Sequence, residues 1–372
     1  MYAGSASRSD GSRLIASSEM DSGLRTQLMT TEIQPAVVAN QEERRSSRNK
    51  APVFVLGCGR SGTTLLYHML LSSGNFVVYR TESNVINLLE PRFGNLNKAR
   101  NKQQLLKAWY HSRLCTLSGL DQEEIKAKVM AKCRNGGDFL RIIMEAMASQ
   151  QGVERWADCT PEHLLYLDRI KETIPDALII HIIRDGRDVA LSTSKLGYIR
   201  PLWWRPLPKL MASGLYWEWM VDKGRRDGRK LRADYIEVRF EELVADPPRV
   251  LKKLGEFIEH DLDYERIRKV GIGSVSEPNT SFGRDSKEGN FNPVGRWKKA
   301  YSSEDLAMLE SLIGEGLAQL GYELSTQDPK LLKRPDLRRT RALYRWYFDV
   351  KLHLKAKTPL GRMFVTRNLS WI

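Results

Sequence analysis

The sequence predicts an α/β fold in which a central parallel sheet is flanked by helices. The first indication is a short apolar run, Pro52–Leu56, that leads into a glycine-bearing turn and then into apolar residues at helical spacing. A second run, Ala177–Ile183, is apolar at nearly every position, as is typical of a strand in a sheet that is covered on both faces. A third candidate strand spans Tyr235–Phe240.

The domain organisation follows from composition along the 372 residues. We expect a disordered N-terminal segment at 1–50, rich in polar residues without periodicity, then one domain at 51–328 and a basic amphipathic tail at 329–372. No run of about 18 apolar residues could span a membrane, and no secretory signal is recognisable. A cytoplasmic protein is therefore predicted, with peripheral membrane contact as an alternative. Four cysteines lack metal-ligand spacing and are expected to be reduced thiols: Cys58, Cys115, Cys133 and Cys159.

The net charge of +14 is concentrated at one end of the chain. Residues 330–372 carry twelve Lys and Arg against two Asp, which is +10 of that total. Because the body of the chain is nearly balanced, we expect no nucleic-acid partner.

The turn after the first strand has the composition of an anion site. Glycines allow the backbone N–H groups to approach an anion closely, and the helix that follows adds its positive end. Thr63 stands where the P-loop of nucleotide triphosphatases has lysine, which disfavours an ordinary ATPase or kinase. A simple strand-to-helix connection is the alternative. The candidate phosphate-binding residues are Gly59, Arg60, Ser61, Gly62, Thr63 and Thr64.

The segment Arg60–Thr64 after a hydrophobic strand resembles the 5′-phosphosulfate loop of sulfotransferases. These enzymes use 3′-phosphoadenosine 5′-phosphosulfate (PAPS) as donor and release 3′-phosphoadenosine 5′-phosphate (PAP). The resemblance extends in order over about residues 51 to 325, with some likeness to the tyrosylprotein and carbohydrate branch. It implies a P-loop NTPase-like sulfotransferase fold, PAPS as donor substrate and no metal.

Glu82 is the predicted general base. It follows a candidate strand, Phe76–Tyr79, and side chains directly after parallel strands lie at the carboxyl edge of the sheet, where ligands bind. The resemblance implies that Glu82 removes the acceptor proton. A helix cap for the stretch that starts near Asn84 is the alternative.

The segment Trp156–His163 resembles a second family signature but departs from it. Cys159 occupies the position of a lysine that neutralises charge during transfer, so either Arg60 does this alone or the electrostatics of the site differ. His163 is a candidate for a second acid or base or for an acceptor contact, and a capping or packing histidine is the alternative.

A second anion contact is predicted at the end of the long apolar strand. Arg184 ends this strand and Ser192 lies eight residues later, two turns into the next helix, so both side chains can converge on one anion. The resemblance assigns this pair to the 3′-phosphate. The alternative is a surface ion pair of Arg184 or Arg187 with a neighbouring aspartate.

Further donor contacts are implied by the resemblance alone. Phe240 replaces the usual tyrosine, so stacking on adenine is expected without a hydroxyl contact. Arg296, Trp297 and Lys298 belong to a segment, Gly289–Lys299, that resembles the loop closing over the nucleotide.

Two segments rich in aromatic residues are candidates for binding or packing surfaces. The stretch from Tyr198 to Trp219 is rich in aromatic residues, and its proline-bearing loop is interpreted as an acceptor lid. Core packing of a helix at Tyr216–Met220 is the alternative for about half of these aromatic residues. In the tail, apolar residues at helical spacing either pack on the domain or a second subunit, or lie at an anionic bilayer. These residues are Leu343, Trp346, Tyr347, Val350 and Leu354.

The predicted activity is transfer of a sulfuryl group from PAPS to an acceptor hydroxyl, with Glu82 as base and Arg60 stabilising the departing phosphate. The acceptor is a glycan, a lipid or a small molecule, with a glycan or glycolipid preferred. An atypical P-loop kinase is one alternative. A non-catalytic nucleotide-binding scaffold is another, for which Cys159 is the best argument.

Overall fold

The computed structural model of the protein describes residues 48–197, 199–271, 292–326, 335–358 and 360–361. The predicted disordered segment at 1–50 lies outside the described residues apart from its last three.

Four parallel strands form the central sheet in the order β2-β1-β3-β4. They span Val53–Leu56 (β1), Ala157–Asp158 (β2), Leu178–Ile183 (β3) and Tyr235–Arg239 (β4). Val53 pairs with Leu178 in the β1–β3 ladder, and Ile183 pairs with Arg239 in the β3–β4 ladder. The predicted α/β fold with a central parallel sheet is confirmed.

Apolar layers cover both faces of this sheet. Phe54 and Ile179 pack into one layer, whereas Val55 and Ile180 pack into the other. Since successive side chains of a strand point to opposite faces, burial of both faces requires apolar residues at every position. This explains the continuous apolar run of β3.

The predicted strand Phe76–Tyr79 was wrong beyond its first residue. Phe76 forms a single parallel bridge with Arg155, and the chain then leaves the sheet. The reason is that the backbone of Val78 forms its hydrogen bonds with a side chain and not with a strand. The Gln151 side chain accepts from the Val78 N–H at 2.8 Å and donates to the Val78 carbonyl at 3.3 Å.

Helices surround the sheet, and several begin at a side chain that caps free backbone N–H groups, as Asp121 and Asn135 do. Single turns of π or 3₁₀ helix occur at Val85–Leu89, Pro161–Tyr166 and Arg229–Asp234. No described helix is both long and apolar enough to cross a membrane.

The α-helices of the described residues are numbered in chain order. They are Thr63–Ser72 (α1), Glu90–Phe93 (α2), Ala99–Tyr110 (α3), Arg113–Ser118 (α4), Gln122–Lys132 (α5), Gly136–Gln151 (α6), Leu167–Thr173 (α7), Gly186–Leu196 (α8), Lys209–Gly228 (α9), Phe240–Ala245 (α10), Pro247–Ile258 (α11), Tyr264–Val270 (α12), Trp297–Ala300 (α13), Ser303–Gln319 (α14) and Pro335–Lys357 (α15).

The tail helix α15 packs on α9 with a face that overlaps the predicted stripe only in part, since Leu343 and Tyr347 of the stripe pack partly against the core. Tyr344 and Phe348 are buried, and the ring of Phe348 lies 5.3 Å from that of Trp219. Arg341 donates to both carboxylate oxygens of Glu218, at 2.7 and 2.9 Å. Trp346, a member of the predicted stripe, remains 58% exposed. The aromatic side chains of α9 and the buried Glu218 select the face that packs, and sequence periodicity does not contain this information.

We expect Arg341→Ala to lower the free energy of unfolding by about 3 kcal/mol, because Glu218 would lose its main ion-pair partner in a buried position. Arg339→Ala on the same helix is the matched control; Arg339 is exposed, and its loss should cost less than about 0.5 kcal/mol. Urea denaturation measures both. Equal stability of the two variants would show that the pair does not anchor α15.

Candidate functional site

The glycine turn is pressed between β3 and Phe240, and this is why it needs glycine. A side chain at Gly57 would approach the carbonyl oxygen of Ile182 to 2.5 Å, and one at Gly62 would approach the Phe240 ring to 2.3 Å. Gly62 also has a left-handed backbone with φ of 98°. By contrast, a side chain at Gly59 would meet no described atom within 4 Å. The turn therefore presents an open side at Gly59 and the N-terminus of α1, which has no side-chain cap.

Arg60 and Ser192 meet across the carboxyl edge of the sheet. The Arg60 Nε–H donates to Ser192 Oγ at 3.0 Å, although the two residues are 132 positions apart. This contact joins the glycine turn to α8. The two groups of residues predicted to bind separate phosphates are thus linked by a direct hydrogen bond.

Arg184 completes this arrangement at the end of β3. Its Nη1 donates to the carbonyl oxygen of Arg60 at 3.0 Å, and its Nη2 donates to the carbonyl of Pro293. The guanidinium lies over the Phe240 ring, 4.4 Å from its centroid. The structure thus brings Arg184, Ser192 and Arg60 together. The ion pairs named as the alternative also form, but they are buried and not on the surface: Arg184 lies 3.8 Å from Asp188, and Arg187 lies 2.8 Å from Asp185.

The electrostatics of this cluster are mixed. Burial is the main cause that lowers the pKa of Arg184 below its ordinary value. The carboxylates of Asp188 and Glu241 oppose this effect, and the nearby cations Arg296 and Arg60 lower the pKa further, each by less than either carboxylate raises it. A phosphate at this edge would therefore meet cations and carboxylates together.

Three buried polar atoms at this edge have no hydrogen-bond partner among the described residues. They are Ser61 Oγ, Arg184 Nε and Thr193 Oγ1. Buried polar atoms in folded proteins nearly always have a partner. Their position in the glycine turn, at the end of β3 and in α8 fits a site for a polar ligand.

Glu82 is exposed and lies at the same edge of the sheet. Burial raises the pKa of the Cys159 thiol well above its ordinary range, and the carboxylates of Asp158 and Glu82 raise it further. The Glu82 segment lies at the end of β2, because the hydroxyl oxygens of Ser83 and Thr160 are 3.3 Å apart. Because β2 pairs with β1, this end lies beside the glycine turn.

His163 is fully buried and both of its ring nitrogens are engaged. Nδ1 lies 2.8 Å from a carboxylate oxygen of Asp158, and Nε2 accepts from the backbone N–H of Ile86 at 3.2 Å. A ring with no access to ligand and no unoccupied nitrogen is poorly suited to proton transfer. The geometry favours the packing role that was the alternative, and it corrects the catalytic prediction for His163.

The Asp158–His163 pair belongs to a buried network that holds the Glu82 segment. Asp158 accepts from the backbone N–H of Thr160 at 3.1 Å. The Thr160 hydroxyl accepts from the backbone N–H of Asn84 at 3.2 Å, and the Asn84 side chain donates to the carbonyl of Glu82 at 3.2 Å. Asn84 has a left-handed backbone with φ of 53°, a conformation that asparagine tolerates better than most residues. Sequence reasoning missed Thr160 and Asn84, although both lie within the segments that it singled out.

Two aromatic residues that were predicted to contact the nucleotide, Trp297 and Phe240, instead contact other side chains of the protein. The Trp297 indole is buried, donates to a carboxylate oxygen of Asp185 at 3.2 Å and lies under the Arg187 guanidinium. The Phe240 ring is covered by Arg184 and by the glycine turn, which speaks against stacking on adenine. Both rings therefore pack beneath arginine side chains of this edge, Phe240 under Arg184 and Trp297 under Arg187.

Asp188 ties the segment that contains Arg296 to the site. Its carboxylate accepts from the backbone N–H groups of Gly295 at 2.8 Å and Trp297 at 3.0 Å. Arg296 is half-buried and Lys298 is exposed, so both cations remain candidates for a ligand. Residues 289–291 of this predicted loop lie outside the described residues. Sequence reasoning missed the role of Asp188, although its position four residues after Arg184 was a signal.

In the described ranges, no group of three or more His, Cys, Asp or Glu side chains could hold a metal ion. Independence from metal stays a prediction.

A family model described as the sulfotransferase family matches residues 52–264. A solved sulfotransferase domain from the curacin biosynthetic pathway is 16% identical and covers 73% of this chain and 98% of its own, with a TM-score of 0.46. The sulfotransferase domain of the Synechococcus PCC 7002 olefin synthase is 19% identical and covers 73% and 95%, with a TM-score of 0.47. Retinol dehydratase, solved with retinol and PAP, is 15% identical and covers 75% and 83%, with a TM-score of 0.35. A search of curated proteins found no match.

Proposed function

The chain belongs to the sulfotransferase family, and from this premise we propose that it transfers a sulfuryl group from PAPS to an acceptor hydroxyl. The observation that best supports this is the meeting of Arg60, Ser192 and Arg184 at one edge of the sheet. A donor with phosphates at two ends of a nucleoside needs two linked anion sites. The glycine turn and the Arg184–Ser192 pair provide them.

In this proposal the 5′-phosphate binds at the glycine turn and the 3′-phosphate binds between Arg184 and Ser192. The acceptor oxygen forms a bond to sulfur while the bond from sulfur to the 5′-phosphate breaks, and PAP leaves. Glu82 takes the acceptor proton. As in phosphoryl transfer, positioning and charge stabilisation supply most of the catalysis.

Arg60 is proposed as the main cation for the departing phosphate. Because burial and two neighbouring carboxylates raise the pKa of Cys159, this side chain stays a neutral thiol. It cannot supply the charge that the family lysine supplies. Backbone N–H groups of the turn and the hydroxyls of Thr63 and Thr64 share the stabilisation with Arg60.

The experiment that tests the donor is calorimetry on the purified protein. We expect PAP to bind far more tightly than ATP or AMP, and EDTA to leave its affinity unchanged. Preference for ATP would favour the kinase alternative, and loss of PAP binding in EDTA would contradict a metal-free site.

Turnover is tested with labelled PAPS and a panel of glycan, lipid and small-molecule hydroxyl acceptors. Tight PAP binding without transfer to any acceptor would favour the non-catalytic scaffold. We propose a glycan or glycolipid as the acceptor class, so these members of the panel should react fastest.

The buried network predicts an effect on turnover from residues that do not contact the ligands. Asp158→Asn and His163→Gln should each lower turnover roughly a hundredfold, because the Glu82 segment would lose its fixed position, while PAP affinity stays unchanged. His181→Gln is the matched control, since His181 is equally buried and hydrogen-bonded but contacts Tyr235 away from Glu82. A similar loss of turnover in all three variants would point to general destabilisation.

A further inference from the structure

Three exposed tryptophans and one half-buried tyrosine lie outside the proposed site, on the loop before α9 and on α15. Trp203, Trp204, Trp346 and Tyr347 are here called the aromatic face, of which Tyr347 also packs partly against the core. Trp203 is 86% exposed, Trp346 is 58% exposed and Trp204 is 50% exposed. The rings of Trp203 and Trp204 lie 5.3 Å apart, and those of Trp204 and Tyr347 lie 6.4 Å apart. Several clustered, exposed indoles are unusual on a soluble surface and indicate an interaction site.

The aromatic face is held in place from below by Tyr344. This buried residue accepts from the backbone N–H of Leu202 at 3.1 Å and donates to the carbonyl of Arg205 at 3.1 Å. It thereby fixes the tryptophan loop to α15. Trp346 lies two positions from both Tyr344 and Phe348, and residues two apart on a helix are about 200° apart around its axis. Because those two residues face the core, Trp346 must face away from it.

The two segments that carry the aromatic face are rich in cations. Across residues 199–209 and 335–358, the acidic residues are only Asp336 and Asp349. Asp349 accepts a hydrogen bond from the Trp219 indole at 2.9 Å. The exposed cations of these two segments include Arg200, Arg205, Lys209, Arg338, Arg339 and Lys351.

We propose that the aromatic face docks on the surface of an anionic membrane. Tryptophan and tyrosine rings favour the headgroup region, where one end of the ring is apolar and the other is wet. Lys and Arg near such a surface are attracted to anionic lipid. A second copy of the chain fits less well, since an isologous contact would bring two cationic rims together. This inference does not depend on the proposed activity.

Co-sedimentation of the full-length protein with vesicles tests the proposal. We expect binding to phosphatidylcholine vesicles that contain phosphatidylserine, weaker binding to phosphatidylcholine alone, and loss of binding at high salt. The double variant Trp203→Ala, Trp346→Ala should weaken binding roughly tenfold or more. Arg205→Ala with Arg339→Ala should weaken it by roughly 25-fold, or about fivefold for each cation.

Matched controls carry the same kinds of change elsewhere on the surface. Leu117→Ala with Val270→Ala removes two other exposed apolar side chains, and Lys252→Ala with Lys253→Ala removes two exposed cations of α11. Both controls should bind vesicles like the unchanged protein. All variants should keep their PAP affinity and melting temperature, which separates a lost surface from a lost fold.

Three results would overturn the proposal. The first is no binding of the unchanged protein to anionic vesicles. The second is equal binding of the aromatic-face variants and the unchanged protein, which would assign the attraction to other residues. The third is a dimer in sedimentation velocity that the tryptophan variants dissociate, which would assign this face to a second copy of the chain.

Discussion

Glu82→Gln is expected to lower turnover by roughly 10²–10⁴-fold, the range typical of a lost general base, while PAP affinity stays nearly unchanged. Glutamine keeps the size of the side chain but cannot accept the acceptor proton as a carboxylate does. The Glu82 segment is held by backbone contacts to Thr160 and His163, so the substitution should leave its position intact. Single-turnover measurements with labelled PAPS separate the chemical step from binding.

Glu154→Gln is the matched control, since Glu154 is an exposed carboxylate whose ion pair is with Lys50. It should keep full turnover. Ordinary turnover in Glu82→Gln would remove Glu82 from the mechanism. The buried Asp158 would then be a poor substitute, because Thr160 and His163 already use its oxygens.

Arg184→Ala is expected to weaken PAP binding by about 2–3 kcal/mol, or roughly 30- to 150-fold, because a desolvated phosphate would lose a charged partner. Two further effects add to this. The variant removes the contact to the Arg60 carbonyl that shapes the glycine turn, and it uncovers the Phe240 ring. Calorimetry with PAP measures the loss.

Two other variants show whether the loss of PAP affinity comes from the Arg184 charge, from its geometry or from lower stability. Arg184→Lys keeps the charge but loses the planar fork, so its affinity should lie between those of the unchanged protein and Arg184→Ala. Arg239→Ala removes an arginine from the end of the adjacent strand, where it donates to the carbonyl of Leu320 and lies over Tyr322. It should lower stability without changing PAP affinity. Unchanged affinity in Arg184→Ala would place the 3′-phosphate elsewhere.

Short-range sequence patterns were sufficient for the architecture and for naming the main candidates for anion binding. The apolar runs of β1 and β3 and the glycine turn are local signals, because strand burial and backbone freedom depend on neighbouring residues. The eight-residue spacing of Arg184 and Ser192 also has a local meaning, since it places a strand end and the second turn of a helix at one edge. The strand predicted at Phe76–Tyr79 shows the limit of this reasoning, because a glutamine from a distant helix ends it.

Only the tertiary structure decided what each candidate side chain does. The ring nitrogens of His163 are occupied by hydrogen bonds to Asp158 and to a backbone N–H that is 77 positions away in sequence. The Trp297 indole is occupied by a hydrogen bond to Asp185, which is 112 positions away. Likewise, Glu218 selects the buried face of α15 through Arg341, 123 positions away, and leaves Trp346 exposed. Periodicity can show that a residue is able to pack or to bind. Which of the two occurs depends on hydrogen-bond and charge partners that are distant in sequence and meet only when the chain folds.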